Sequence, residues 1–113
     1  MQAAANASHY TTAERLVALA QLYRQGQASR LMDRTLDKLL AHEAEEARSQ
    51  LAALDADLAV FEQQYGLFSA EFEHRYETGQ TDDRMDFVEW ASLLRMRENL
   101  QRRLQLLTGE NAV

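Results

Sequence analysis

Between Gly26 and Gly66 the chain runs 39 residues with no glycine, and it contains no proline anywhere. Glycine and proline are the residues that most readily end a helix. A stretch this long without them can be one helix or must be broken by sequence signals it does not contain. Composition favours the helix. There are 18 Ala and 17 Leu, against 4 Val and no Ile, and with 6 Thr the β-branched residues total only 10 of 113. Strands favour β-branched side chains and helices favour Ala, Leu, Glu, Gln and Arg, so a sizeable sheet is excluded. The expected fold is all-α and a single domain over residues 11–108, with flexible ends at 1–10 and 109–113.

Local signals divide the chain into four helices. Thr11-Thr12-Ala13-Glu14 fits a capping box and opens a helix bearing Leu16, Val17, Leu19, Leu22 and Tyr23, which Gly26 ends. Ser29 is placed to cap the next helix, predicted over about 30–65. Ser69 is placed to cap a short third one, with Glu71 and Glu73 in its first turn and Gly79 at its end. Asp82 or Asp83 is placed to cap a fourth, running to about Leu107 before Gly109.

The long helix carries Ala47, Leu51, Leu54, Leu58, Phe61 and Tyr65 at spacings of 4, 3, 4, 3 and 4, a heptad seam. Upstream, Leu36, Leu40, Ala44 and Ala47 are spaced 4, 4 and 3, a step that locally unwinds a left-handed supercoil. The fourth helix offers a stripe of Phe87, Trp90, Leu93, Leu94, Leu100, Leu104 and Leu107. Two long helices joined through a short one predict an antiparallel hairpin. Phe61, Tyr65, Phe87 and Trp90 are then expected to form the core of its elbow.

A helix of about 35 residues measures about 52 Å, whereas a compact domain of this size is roughly 34 Å across. The expected shape is elongated, and the long helix overshoots its partner. Its first turns carry Leu31, Met32, Leu36, Leu39 and Leu40, too apolar to be left in water. These five residues are the expected interface of a homodimer, the commonest oligomer.

The net charge of −6 is unevenly spread. Residues 1–41 carry five basic and three acidic groups, residues 42–83 two basic and eleven acidic, and residues 84–113 five and four. An acidic middle disfavours non-specific nucleic-acid binding by the whole molecule and suits a basic protein partner. Seven of the nine aromatics fall between 61 and 90, and Phe68, Phe72 and Tyr76 recur every four residues. Rimmed by Glu73, Glu77, Asp82 and Asp83, they form the candidate partner-binding surface, although packing within the elbow accounts for the same aromatics.

Motifs for chemistry are sparse. His42-Glu43-Ala44-Glu45-Glu46 has Glu where a zinc-protease box needs its second His. Glu71-Phe72-Glu73-His74 contains one Glu-x-x-His unit, where a di-iron bundle needs two. Asp82, Asp83 and Asp86 could pair carboxylates around a cation, but helix capping is the commoner use of such residues. The four glycines are isolated, so no loop cradles a phosphate. There is no Cys, hence no disulfide or thiolate site. No catalytic, metal or cofactor site is expected, and the protein is not expected to be an enzyme. No apolar run suits a membrane span, and Met1–Ala7 lacks the features of a signal peptide, so a cytoplasmic protein is expected.

Phe61-Glu62-Gln63-Gln64-Tyr65-Gly66-Leu67, followed by Glu71-Phe72, Arg75-Tyr76, Gly79, Asp82-Asp83, Asp86-Phe87 and Glu89-Trp90-Ala91, resembles a small bacterial and archaeal helical family. In it a long helix leads through a Tyr-Gly turn to a short helix and then to a Glu-Trp helix. Leu22-Tyr23-Arg24-Gln25-Gly26 and Thr35-Leu36-Asp37-Lys38-Leu39-Leu40 resemble the start of the same chains. Phe68 stands where a small polar residue is expected. Members resemble antitoxin-like partners of small toxins, and the resemblance implies neutralisation of a toxin by direct binding. The alternatives are a structural coiled-coil adaptor and a dimeric DNA-binding regulator. The regulator would use residues 11–40, with Arg24, Arg30, Arg34 and Lys38 on its surface, although no base-reading side chain stands out.

Overall fold

The structure is a computed structural model that describes residues 10–110. Among them every regular element is a helix: α1 Thr12–Arg24, α2 Arg30–Tyr65, α3 Ser69–Glu77 and α4 Met85–Thr108. No helix among these residues is long and apolar enough to cross a membrane. The expectation of flexible ends falls mostly on residues 1–9 and 111–113, outside the described residues.

Helix boundaries follow local chemistry at both kinds of end. At α1 the Thr11 hydroxyl accepts from the Glu14 amide at 3.1 Å while the Glu14 carboxylate accepts from the Thr11 amide at 2.8 Å. This reciprocal bond holds the Glu14 carboxyl below its ordinary range. Ser29 caps α2 by accepting from the Met32 amide at 3.1 Å. At the far end of α1 the Gln27 amide reaches the Leu22 carbonyl at 2.8 Å and the Gly26 amide reaches that of Tyr23 at 3.1 Å. That closure needs a left-handed residue, and Gly26 supplies it with φ of +70°. The ends of α2 and α3 repeat the six-residue bond, Leu67 to Glu62 and Gln80 to Arg75.

Two expected caps are corrected. The N-cap of α3 is Phe68, which offers no side-chain bond, and Ser69 is the first helical residue. The Ser69 amide is satisfied from another helix, by the Glu62 carboxylate of α2 at 2.8 Å. The N-cap of α4 is Arg84 rather than Asp82 or Asp83. Asp82 accepts instead from the Arg84 amide at 3.1 Å and from Nε and Nη2 of its guanidinium at 2.9 and 2.8 Å.

Contacts divide the chain into two units that meet between Lys38 and Leu39, inside α2. In the first unit α1 is tied to α2 by the Tyr23 hydroxyl, which donates to the Asp33 carboxylate at 2.7 Å. No residue from Tyr10 to Lys38 is buried.

In the second unit α2 packs antiparallel against α4, with α3 across the turn. Arg97 pairs with Asp55 and Arg103 with Glu43, each at 2.6 Å, so numbers rise on one helix as they fall on the other. The seam read from spacing is the inward face: Ala44, Ala47, Leu54, Leu58 and Phe61 are buried, and Leu51 and Tyr65 are half-buried. Every member of the α4 stripe is likewise buried or half-buried. The core lies at the elbow. Trp90 and Phe72 are wholly enclosed and stack face to face, with centroids 3.9 Å apart and planes 1° from parallel. Phe61 lies against Trp90 at 5.5 Å, and Tyr65, Leu67, Tyr76 and Phe87 close the cluster. The Trp90 indole N–H donates to the Ser69 hydroxyl at 3.0 Å, so the one polar atom of the ring is satisfied.

Candidate functional site

The elbow gathers most of the residues singled out for partner binding, but not on one face. Phe68 lies in extended backbone before α3 (φ −71°, ψ 149°) and is 79% exposed. Phe72, one turn into the helix, is 0% exposed. It belongs to the core and cannot touch a partner, which corrects its place among the candidate contacts. Tyr76 is half-buried, its ring 5.5 Å from that of Phe72. Glu73, Glu77, Asp82 and Asp83 are exposed.

Two of the concavities near the elbow involve the candidate partner-binding residues Phe68, Glu73, Tyr76 and Glu77. One, of about 430 Å³, is an open cleft lined by Ala59, Glu62, Gln63, Gly66, Leu67 and Phe68. The other, of about 210 Å³, lies between α3 and α4 and is lined by Glu73, Tyr76, Glu77, Ala91, Arg95 and Glu98. The Arg95 and Glu98 contributions have no signature in the sequence, because α4 had to be docked before they could be seen beside Tyr76.

The charges around the elbow fall into two groups. Asp82 and Arg84 are already satisfied: the guanidinium holds the Asp82 carboxyl down to about 2, and Asp82 in turn raises Arg84. The Arg84 guanidinium also lies 4.7 Å from the centre of the Phe87 ring, a cation–π contact that shields one side of the core. The Tyr65 hydroxyl donates to Asp86 in a short hydrogen bond, which raises the pKa of Tyr65. Of the three aspartates read as a possible cation pair, two are therefore committed to neighbours. By contrast Glu73, Glu77 and Asp83 join no ion pair among the described residues, and neither do Glu45, Glu46 and Asp57 on α2.

Nothing among the described residues brings three His, Asp or Glu side chains together as metal ligands. His42 and His74 are exposed, and Glu71 of the Glu-x-x-His unit is paired with Arg75 at 3.0 Å. What the arrangement offers is a rigid aromatic base carrying unpaired carboxylates, beside an apolar cleft marked by Phe68.

The expected dimer residues are graded in exposure. Leu31 is 74% exposed, Leu39 and Leu40 are about half that or more at 50% and 41%, and Met32 and Leu36 are half-buried. Comparisons of the chain with models of protein families, with curated proteins and with solved structures find no match.

Proposed function

We propose that the protein is a non-catalytic binding module, an antitoxin-like neutraliser that masks a small basic protein with its elbow. The observation that carries the reading is the pair of exposed carboxylates Glu73 and Glu77, which line a groove beside Tyr76 and join no ion pair among the described residues, with Asp83 exposed in the loop that follows the short helix. Carboxylates already satisfied within the chain would gain little from a partner. Unpaired ones on short, core-anchored elements steer a cation and then bind it with little loss of freedom. Phe68 supports the reading from the other flank, as a large aromatic held in water beside a cleft, the usual form of an interface anchor. The resemblance to antitoxin-like chains points to a toxin as the basic partner.

The test pairs capture with charge reversal. From the native host, the tagged protein is expected to retain a basic protein in fixed stoichiometry, released by salt, and Glu73→Lys with Glu77→Lys is expected to lose it. The gene encoding that protein should arrest growth when expressed alone and be tolerated beside this one. A retained partner that is acidic, or that the doubly reversed variant holds equally well, refutes the reading.

A further inference from the structure

The first unit carries positive charge that the rest of the unit leaves unanswered. Between Tyr10 and Lys38 the basic side chains are Arg15, Arg24, Arg30, Arg34 and Lys38, and the acids are Glu14, Asp33 and Asp37. All the basic residues are exposed, and none joins an ion pair among the described residues. The acids are drawn elsewhere. Glu14 closes the capping box of α1. Asp33 accepts from the Tyr23 hydroxyl, and that bond is the main reason the Tyr23 pKa is raised, with the Asp37 charge adding to it. Both acids in the first turns of α2 therefore lie toward Tyr23 of α1.

Arg30, Arg34 and Lys38 form a stripe on another side of the same turns. They recur every four residues, which confines them to about 80° of arc and about 12 Å of helix length. Arg34 is two residues from Met32 and two from Leu36, both half-buried, and so stands about 160° around the helix from each. The stripe thus points away from the side on which α2 is covered in this unit.

We propose that this stripe is a second binding surface, which takes the phosphate backbone of duplex DNA without reading its sequence. Charge complementarity selects the partner. A duplex carries one negative charge per about 1.7 Å of axis, so about seven phosphates lie along 12 Å of it, enough for each cation to find one. A folded acidic protein scatters its carboxylates among other side chains, whereas a duplex presents the unbroken line that an evenly spaced stripe matches. Arg30 and Arg34 add the planar fork that grips a phosphate through two hydrogen bonds. The carrier also fits. An α-helix is about 10–12 Å across and the major groove of B-form DNA about 12 Å wide, whereas that of A-form RNA is deep and narrow. An anionic lipid surface would need apolar side chains beside the charge. Of the apolar residues of α2 in this unit, Leu31 alone is exposed. Contacts to phosphate carry no sequence information, so one duplex is expected to bind like another. The acidic middle of the chain repels DNA, which confines contact to this unit and keeps the affinity modest.

The stripe belongs to a different unit from the elbow and takes a partner of the opposite charge, so it stands or falls independently of the proposed function. Fluorescence anisotropy of a short labelled DNA duplex, titrated with the full chain at several salt concentrations, tests it. With three phosphate contacts, log K should fall against log salt with a slope of about −2.7, which is a loss of about 40-fold between about 50 and 200 mM. Arg34→Gln should reduce the slope to about −1.8 and the loss to about 12-fold. Arg30→Gln, Arg34→Gln and Lys38→Gln together should abolish binding. Because these side chains are exposed and form no ion pair, circular dichroism of the variants should remain that of the wild type. A wild-type chain that fails to bind the duplex at about 50 mM salt overturns the proposal, as does an Arg34→Gln slope equal to that of the wild type. So does tighter binding to phosphatidylserine vesicles, to poly-glutamate or to an RNA duplex than to DNA.

Discussion

Replacing Trp90 by Ala removes the largest wholly enclosed side chain of the protein. The cost can be assembled from its surroundings. Phe72 lies flat on one face at 3.9 Å, Phe61 at 5.5 Å, and Tyr65 and Phe87 at 5.9 and 6.5 Å, so four rings would border the vacated space. Truncating an enclosed aromatic to Ala costs about 3–5 kcal/mol, the higher figures applying where the walls cannot collapse. Rings on three different helices, each held by other contacts, are such walls, which sets the expectation at about 4–5 kcal/mol. Ser69→Ala isolates the hydrogen bond. It removes the acceptor of the indole N–H, leaves the donor enclosed, and should cost about 1–3 kcal/mol. Trp90→Phe keeps much of the stack and should fall between Ser69→Ala and Trp90→Ala. A domain of this size is stable by about 5–15 kcal/mol in total, so Trp90→Ala should leave it barely folded. Urea titration followed by far-ultraviolet circular dichroism measures all three. A loss below about 1 kcal/mol for Trp90→Ala would show that the ring is not enclosed and would undo the description of the elbow core.

The hydroxyl of Tyr23 donates to Asp33, and that carboxylate pushes its pKa up to about 12. Because the folded-state pKa lies above the unfolded one, the contribution of this bond is complete below about pH 10 and disappears as pH rises from there toward 12. Tyrosinate absorbance should therefore show a late-titrating tyrosine that Asp33→Asn restores to the ordinary range; no change with Asp33→Asn would refute the assignment. Gly66 turns the chain between α2 and α3 with φ of +60°, and a Cβ there meets nothing within 4 Å. Gly66→Ala should thus cost only the backbone strain of a left-handed residue, about 1–2 kcal/mol, and a much larger loss in thermal melts would mean that the turn is packed more tightly than described.

The helices were legible because their ends are local. Thr11 with Glu14, Ser29, and the glycines at 26, 66, 79 and 109 each act within a few residues of themselves, and all four glycines have positive φ. The seam from Ala47 to Tyr65 was legible for a similar reason, since periodicity within one helix decides which face turns inward. What escaped depended on residues far apart in sequence. Glu62 caps Ser69 across the turn, and Ser69 receives Trp90 from 21 positions away. No spacing rule connects those pairs. The error over Phe72 is more instructive. Phe68, Phe72 and Tyr76 share a four-residue spacing, but Phe68 precedes the helix in extended backbone, so helical periodicity does not extend to it. One aromatic therefore faces water while the next is enclosed. Arg95 and Glu98 of the candidate groove escaped because nothing in α4 alone marks which of its polar residues will stand beside Tyr76.

The antiparallel pairing of α2 and α4 implies an order of assembly. Its cross-connections lengthen steadily away from the turn, from a sequence separation of 21 at Tyr65 and Asp86 to 42 at Asp55 and Arg97 and 60 at Glu43 and Arg103. Closing a loop becomes more costly with length only slowly, by about 0.6 kcal/mol per doubling, so each contact made near the aromatic cluster nearly prepares the next. The two helices are thus expected to zip from the elbow outward and to fray from the opposite end, with amide exchange slowest near Trp90 and quickening toward Thr108. A ribosome that had just released α4 would need only its first turns to lock the tryptophan in place, and the rest of the helix would follow along a track already laid.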